Sequence, residues 1–174
     1  MIRETKLRIQ KYLIYTCLML LMYVLQTTPN FLSFFSAKPL LVLPLAISIA
    51  MMEGELAGGL FGLLAGILCD TSAITIFGIN SLIYMSACVF IGLLVIYYMQ
   101  PSKMNSLIFT GIVLSFRELF EYFFYYVMWD YENTSLILLH NMIPMIIVTL
   151  IFTIPIFCLV QKIYTIYRQK LSNR

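Results

Sequence analysis

Residues 53–70 read EGELAGGLFGLLAGILCD, and Gly54, Gly58, Gly62, Gly66 and Asp70 recur there at every fourth position, with Gly59 beside the row. Positions four apart stack on one face of an α-helix. Glycines along such a face carry no side chain, so a second backbone can approach within close van der Waals range. In lipid, where apolar burial gives helices little reason to associate, that contact is a main attraction. The spacing predicts a membrane helix with one bare face that ends on an acid. Two occupants of that face stand open at this point: the chain's own helices, or a docked partner protein.

The flanking sequence fits a bilayer. Of 174 residues, 61% are hydrophobic and 11% charged, against about 25% charged in a soluble domain. Mean hydropathy is +0.93. These values exclude a disordered chain, a fibrous chain and an ordinary cytosolic enzyme. The apolar stretches predict one polytopic domain over residues 1–174, an all-α bundle of six transmembrane helices. The spans fall near residues 12–28, 39–52, 55–69, 79–99, 104–128 and 135–160, followed by a basic tail, 161–174. The apolar blocks Leu40–Met52 and Leu56–Leu68 are short, about 20 Å each against a hydrocarbon core of about 30 Å. They read either as two helices in a thinned site or as a re-entrant hairpin. Pro39 and Pro44 suit a helix start, and Pro144 and Pro155 are expected to bend the last span. No small-x-small cleavage site follows the first apolar run, which is therefore read as an uncleaved helix.

Orientation follows from basic residues. With six spans, nine of the 11 Lys and Arg fall on one side: Arg3, Lys6, Arg8 and Lys11, then Lys103, then Lys162, Arg168, Lys170 and Arg174. Lys38 falls opposite and Arg117 lies within the membrane. Both termini are expected in the cytoplasm. The net charge of +3 is explained by topology rather than by nucleic acid, which is not an expected partner.

The polar residues inside this apolar chain are the candidates for function. Asp70 is unfavourable at a helix C-terminus, so it is expected to accept hydrogen bonds from the start of the next helix, near Gly78, Asn80 and Ser81. Arg117, Glu118 and Glu121 lie in the fifth span. Arg117 is expected to pair chiefly with Glu121, four residues on, which leaves Glu118 facing elsewhere. This cluster reads as a neutralised seam or as a relay or substrate site. Tyr122–Tyr126 and Trp129 read as an interfacial aromatic belt. Asn141, beside the lone His140, is expected to bond another helix, and Glu53 and Glu55 to be solvated or to cap the third span. One histidine and four cysteines without close spacing, Cys17, Cys69, Cys88 and Cys158, predict no metal site and no disulfide framework. No phosphate-binding, nucleophile-elbow or zinc-protease motif occurs. The chain is not expected to be an enzyme or to carry a cofactor.

The order of these features resembles the rod shape-determining protein MreD family. It comprises a basic N-terminus and first span, Lys38-Pro39-Leu40-Leu41-Val42, Glu53-Gly54, and the glycine row ending at Asp70. Gly78-x-Asn80-x-Leu82, Asn141-x2-Pro144, Pro155 and a basic tail complete it. The specific part runs from Pro39 to Leu82, and Arg117-Glu118 is not part of it. The resemblance implies a non-enzymatic scaffold of the bacterial cell-elongation machinery in the cytoplasmic membrane. Its implied partner is an MreC-like membrane protein and, indirectly, MreB, RodA and a penicillin-binding transpeptidase in lateral peptidoglycan synthesis. The family is also similar in fold to the six-helix substrate-binding components of vitamin uptake transporters. That similarity implies the alternative function, binding a small solute for uptake, which calls for a polar pocket near the outer face.

Overall fold

Helices account for almost every described residue in a computed structural model that describes residues 2–28, 39–72, 77–127 and 143–172. They are α1 (Ile2–Thr27), α2 (Val42–Glu53), α3 (Glu55–Ser72), α4 (Ile79–Tyr97), α5 (Lys103–Glu121) and α6 (Ile143–Ser172), and a π-helical turn, Tyr122–Val127, continues α5. No strand occurs among the described residues. α1, α3, α4 and α6 are long and apolar enough to cross a membrane. α2 is shorter and α5 carries four charged residues, Lys103, Arg117, Glu118 and Glu121, so the sixfold crossing expected from the sequence rests on those two helices.

The short block is two consecutive helices, and α2 is the centre of the bundle. Residues Val42 to Met51 are all buried, and α1, α3, α4, α5 and α6 all pack on α2. A helix of 12 residues is about 18 Å long, so its ends stop inside the protein, where free backbone groups need partners. Side chains of the outer helices supply them. Gln26 Oε1 accepts from Leu41 N at 3.0 Å and Val42 N at 3.4 Å, and Thr149 Oγ1 accepts from Leu40 N at 3.1 Å. Pro44 sits in the first turn, where its missing N–H costs nothing. At the other end the chain reverses at Gly54, with φ +91°. A side chain strains there, so Gly54 serves the turn between α2 and α3.

Direction alternates from helix to helix. Lys11 of α1 meets Glu53 at the end of α2 and lies over the ring of Tyr164, late in α6. Gly92, late in α4, lies against Glu55 at the start of α3. At the opposite end Tyr23 of α1 bonds Thr71 and Ser72, Asp70 meets the start of α4, and Arg117 meets Asn80. Large apolar side chains such as Leu13, Leu82, Phe90, Ile112 and Ile151 point outward, as suits contact with lipid.

Two boundaries differ from the sequence reading. α1 begins at Ile2, ten residues before the apolar run, and α6 continues to Ser172 through the basic tail, which the sequence reading places outside the last span. Lys, Arg, Gln and Leu are strong helix formers that extend a helix past the apolar limit. Pro155 lies inside α6, whereas Pro144 falls in its first described turn, where it need not bend it.

Candidate functional site

The glycine row positions the site. A Cβ at Gly58 would meet Ala50 Cβ of α2 at 2.5 Å and Cys88 O at 3.2 Å, and one at Gly62 would meet Tyr84 O at 2.6 Å. At Gly66 it would collide with the Cα of Ser81 and stand 2.7 Å from Asn80 O. The bare face of α3 is thus filled by α4, with α2 at one end, and a separate protein has no room on it. Gly59, off the row, faces only a side-chain methyl, Val89 Cγ2, at 2.7 Å.

This approach delivers Asp70 to the first turn of α4. Its carboxylate accepts from Gly78 N at 3.0 Å, Asn80 N at 3.2 Å, Asn80 Nδ2 at 2.9 Å, Ser81 N at 3.2 Å and Ser81 Oγ at 2.6 Å. The helix has Gly78 at its N-cap, with no side chain of its own to offer, so an acid from the preceding helix caps it. Both factors favour the anion: free N–H groups and the positive end of the helix dipole. With all its lone-pair positions engaged, Asp70 is poorly placed to take a proton from a substrate. It fastens α3 to α4.

The network continues into α5. Arg117 Nε donates to Asn80 Oδ1 at 3.1 Å, Nη2 pairs with Glu121 at 2.7 Å, and Nη1 pairs with Glu118. The expectation that Glu118 faces elsewhere is corrected: both glutamates hold the one guanidinium, and Glu118 is the more buried of the two. A planar fork with five donors can serve three acceptors at once. Asp70, Asn80, Ser81, Arg117, Glu118 and Glu121 therefore form one continuous polar seam across α3, α4 and α5.

A second ionic cluster lies at the opposite end. Lys11 Nζ pairs with Glu53 Oε2 at 2.6 Å, and Tyr15 Oη donates to Glu53 Oε1 at 3.1 Å. The Glu53 carboxylate is therefore largely covered and paired rather than solvated, and the pair ties α1 to the end of α2.

A family model for the rod shape-determining protein MreD matches residues 6–165. The chain belongs to the MreD family. No curated protein and no solved structure matches it, so the expected likeness to vitamin uptake components gains no support from those comparisons.

The MreD match takes in the glycine row, the Asp70–Arg117 seam and the Lys11–Glu53 pair. Asn141 and His140 lie outside the described residues. Among those described, no group of three or more His, Cys, Asp or Glu is placed to hold a metal ion, and Cys17, Cys69, Cys88 and Cys158 are free thiols. Sequence reasoning missed Gln26, Thr149, Lys11 and Tyr15. Gln26 carried a signal, as a polar residue closing the apolar run of α1. Thr149 carried none, because threonine is common within apolar helices and its partner is Leu40, far away in sequence.

Proposed function

We propose that this MreD-family chain is a non-enzymatic scaffold of the bacterial cell-elongation machinery, acting in the cytoplasmic membrane with six crossings and both termini inside. Its direct partner is an MreC-like membrane protein, and its indirect partners are MreB, RodA and a penicillin-binding transpeptidase. The observation that carries this reading is the family match over residues 6–165. The interior supports it. The buried polar groups of the Asp70–Arg117 seam bond one another across three helices, an arrangement that holds a fixed shape rather than one that presents groups to a solute. Because α3 spends its bare face on α4, the partner span must dock on an outer, side-chain-covered face of the bundle.

The test is complementation with co-purification. In a rod-shaped bacterium lacking its own MreD, this chain together with its MreC-like neighbour is expected to restore elongated cells, and a tagged copy to retain that neighbour through detergent purification. Round cells despite a normal membrane level of the chain, with no retained neighbour, would overturn the proposal. Energy-dependent accumulation of a small solute in place of shape rescue would establish the transporter alternative.

A further inference from the structure

At the end of the bundle where α1 begins and α6 finishes, a cavity of about 310 Å³ opens between α1, the end of α2 and α6. It stands at the lower end of the range for ligand pockets, about 300–1,000 Å³. Arg8, Lys11, Tyr12, Glu53, Tyr164 and Arg168 line it. Three cations face one carboxylate, and that carboxylate is spent: one oxygen is bound by Lys11 and the other by the Tyr15 hydroxyl. The cavity wall holds no second acid among the described residues. Arg8 and Arg168, brought together from opposite ends of the chain, thus leave the cavity with an excess of positive charge that an anion would neutralise.

The position says which anion. The apolar run of α1 starts just after Lys11, and that of α6 ends just before Gln161 and Lys162. The cavity therefore sits where hydrocarbon gives way to headgroups. Tyr12 and Tyr164 beside it are the residue type that settles at that boundary, and basic pockets between helices at this depth take acidic lipid headgroups. Lys11 lies over both rings, at 5.3 Å from Tyr12 and 5.6 Å from Tyr164, and Arg168 lies 6.0 Å from Tyr164. These contacts hold the cationic wall in place without using up its charge.

We propose that this cavity binds the phosphodiester headgroup of an anionic phospholipid such as phosphatidylglycerol, with the Arg8 and Arg168 guanidiniums on the phosphate and the acyl chains lying along α1 and α6. The site is distinct from the Asp70–Arg117 seam and needs no partner protein. Arginine suits the role because its fork meets two phosphate oxygens at once. Glu53 keeps Lys11 in place and sets the floor of the site.

The test is lipid retention by the purified full-length chain, read by native mass spectrometry during titration with phosphatidylglycerol or phosphatidylcholine. Wild type is expected to hold phosphatidylglycerol well beyond phosphatidylcholine. R8Q/R168Q is expected to lose that preference by roughly thirtyfold, the worth of two cations at a lipid surface. K162Q/K170Q, which removes equal charge from the same end of α6 outside the cavity, is expected to keep it. Equal loss in the two double variants would reduce the effect to diffuse attraction and overturn the site, as would undiminished preference in R8Q/R168Q. Displacement of bound phosphatidylglycerol by inorganic phosphate or glycerol 3-phosphate at matching concentration would overturn the lipid assignment in favour of a soluble phosphate. Both variants alter exposed residues, and an unchanged elution volume on size exclusion confirms that the fold being compared is the same.

Discussion

At the scale of single residues, Arg117 shows how a membrane interior makes charge tolerable. One guanidinium serves Asn80, Glu118 and Glu121, and Asn80 passes the connection to Asp70. Removing one member of a buried pair strands the other, at a cost of about 3–5 kcal/mol. Arg117→Gln is therefore expected to lower thermal stability in detergent sharply, and Arg117→Lys to recover little of it, because a point charge cannot span three acceptors. A double-mutant cycle should find stronger coupling between Arg117 and Glu118 than between Arg117 and Glu121, since the Glu121 side chain is 27% exposed and that of Glu118 8%. The reverse order would show that spacing along the helix, rather than burial, sets the pairing. Spacing is what the sequence exposes, and it points to Glu121. That Asp70 needs a helix start nearby was also legible, because an acid at a helix end is a local anomaly. The Arg117–Asn80 link was not, since nothing in either segment records that α5 lies against the start of α4.

At the scale of elements, the contact between α3 and α4 depends on what each glycine meets. Gly66 and Gly62 meet backbone, which cannot yield without moving the helix, whereas Gly59 meets a methyl at the end of a side chain. Even alanine is then too large at Gly66. Gly66→Ala is expected to destabilise the protein by about 1–3 kcal/mol, the usual cost of overpacking, and Gly66→Leu to abolish folded yield. Gly59→Ala should be mild and should be restored by Val89→Ala. Equal melting temperatures for Gly66→Ala and Gly59→Ala would remove the row's special status. The row was readable because four-residue spacing is a property of one helix. Its occupant was not readable, because α4 carries no matching row and offers backbone and the small residues Ser81 and Cys88 instead. The ends of α2 were hidden for the same reason. Gln26→Leu should cost about 1–3 kcal/mol by stranding the Leu41 and Val42 N–H groups, whereas Gln26→Glu, which keeps an acceptor oxygen, should cost less. Thermal unfolding of the two variants side by side measures the difference.

At the scale of the whole molecule, the topology question has two parts with separate answers. The first is whether the termini share a side, as proposed above, and the packing of the bundle supports that reading. Lys11 in the first half of α1 lies over Tyr164 in the second half of α6, a contact that favours the proposal of termini on one side however completely α2 and α5 cross. Between Lys11 and Gln26, α1 advances about 22 Å, and α2, tied to α1 at both residues, runs back over nearly that whole distance. A helix this short is tolerable because its neighbours, not lipid, cover its ends. The second part is which side the shared end faces, and only charge speaks to it: the alternating helix directions bring Arg8, Lys11, Lys103, Lys162, Arg168 and Lys170 to one end, and the positive-inside rule is the ground for proposing that this end faces the cytoplasm. A phosphatase active only outside the cytoplasm should therefore be silent when fused before Met1 or after Arg174, and active when fused after Ser72, at the opposite end of α3. Different results at the two termini would contradict the packing of α1 against α6 and with it the bundle. Activity at both termini and silence after Ser72 would leave the bundle standing and invert it in the membrane, which would place the cavity between Arg8 and Arg168 in the outer leaflet.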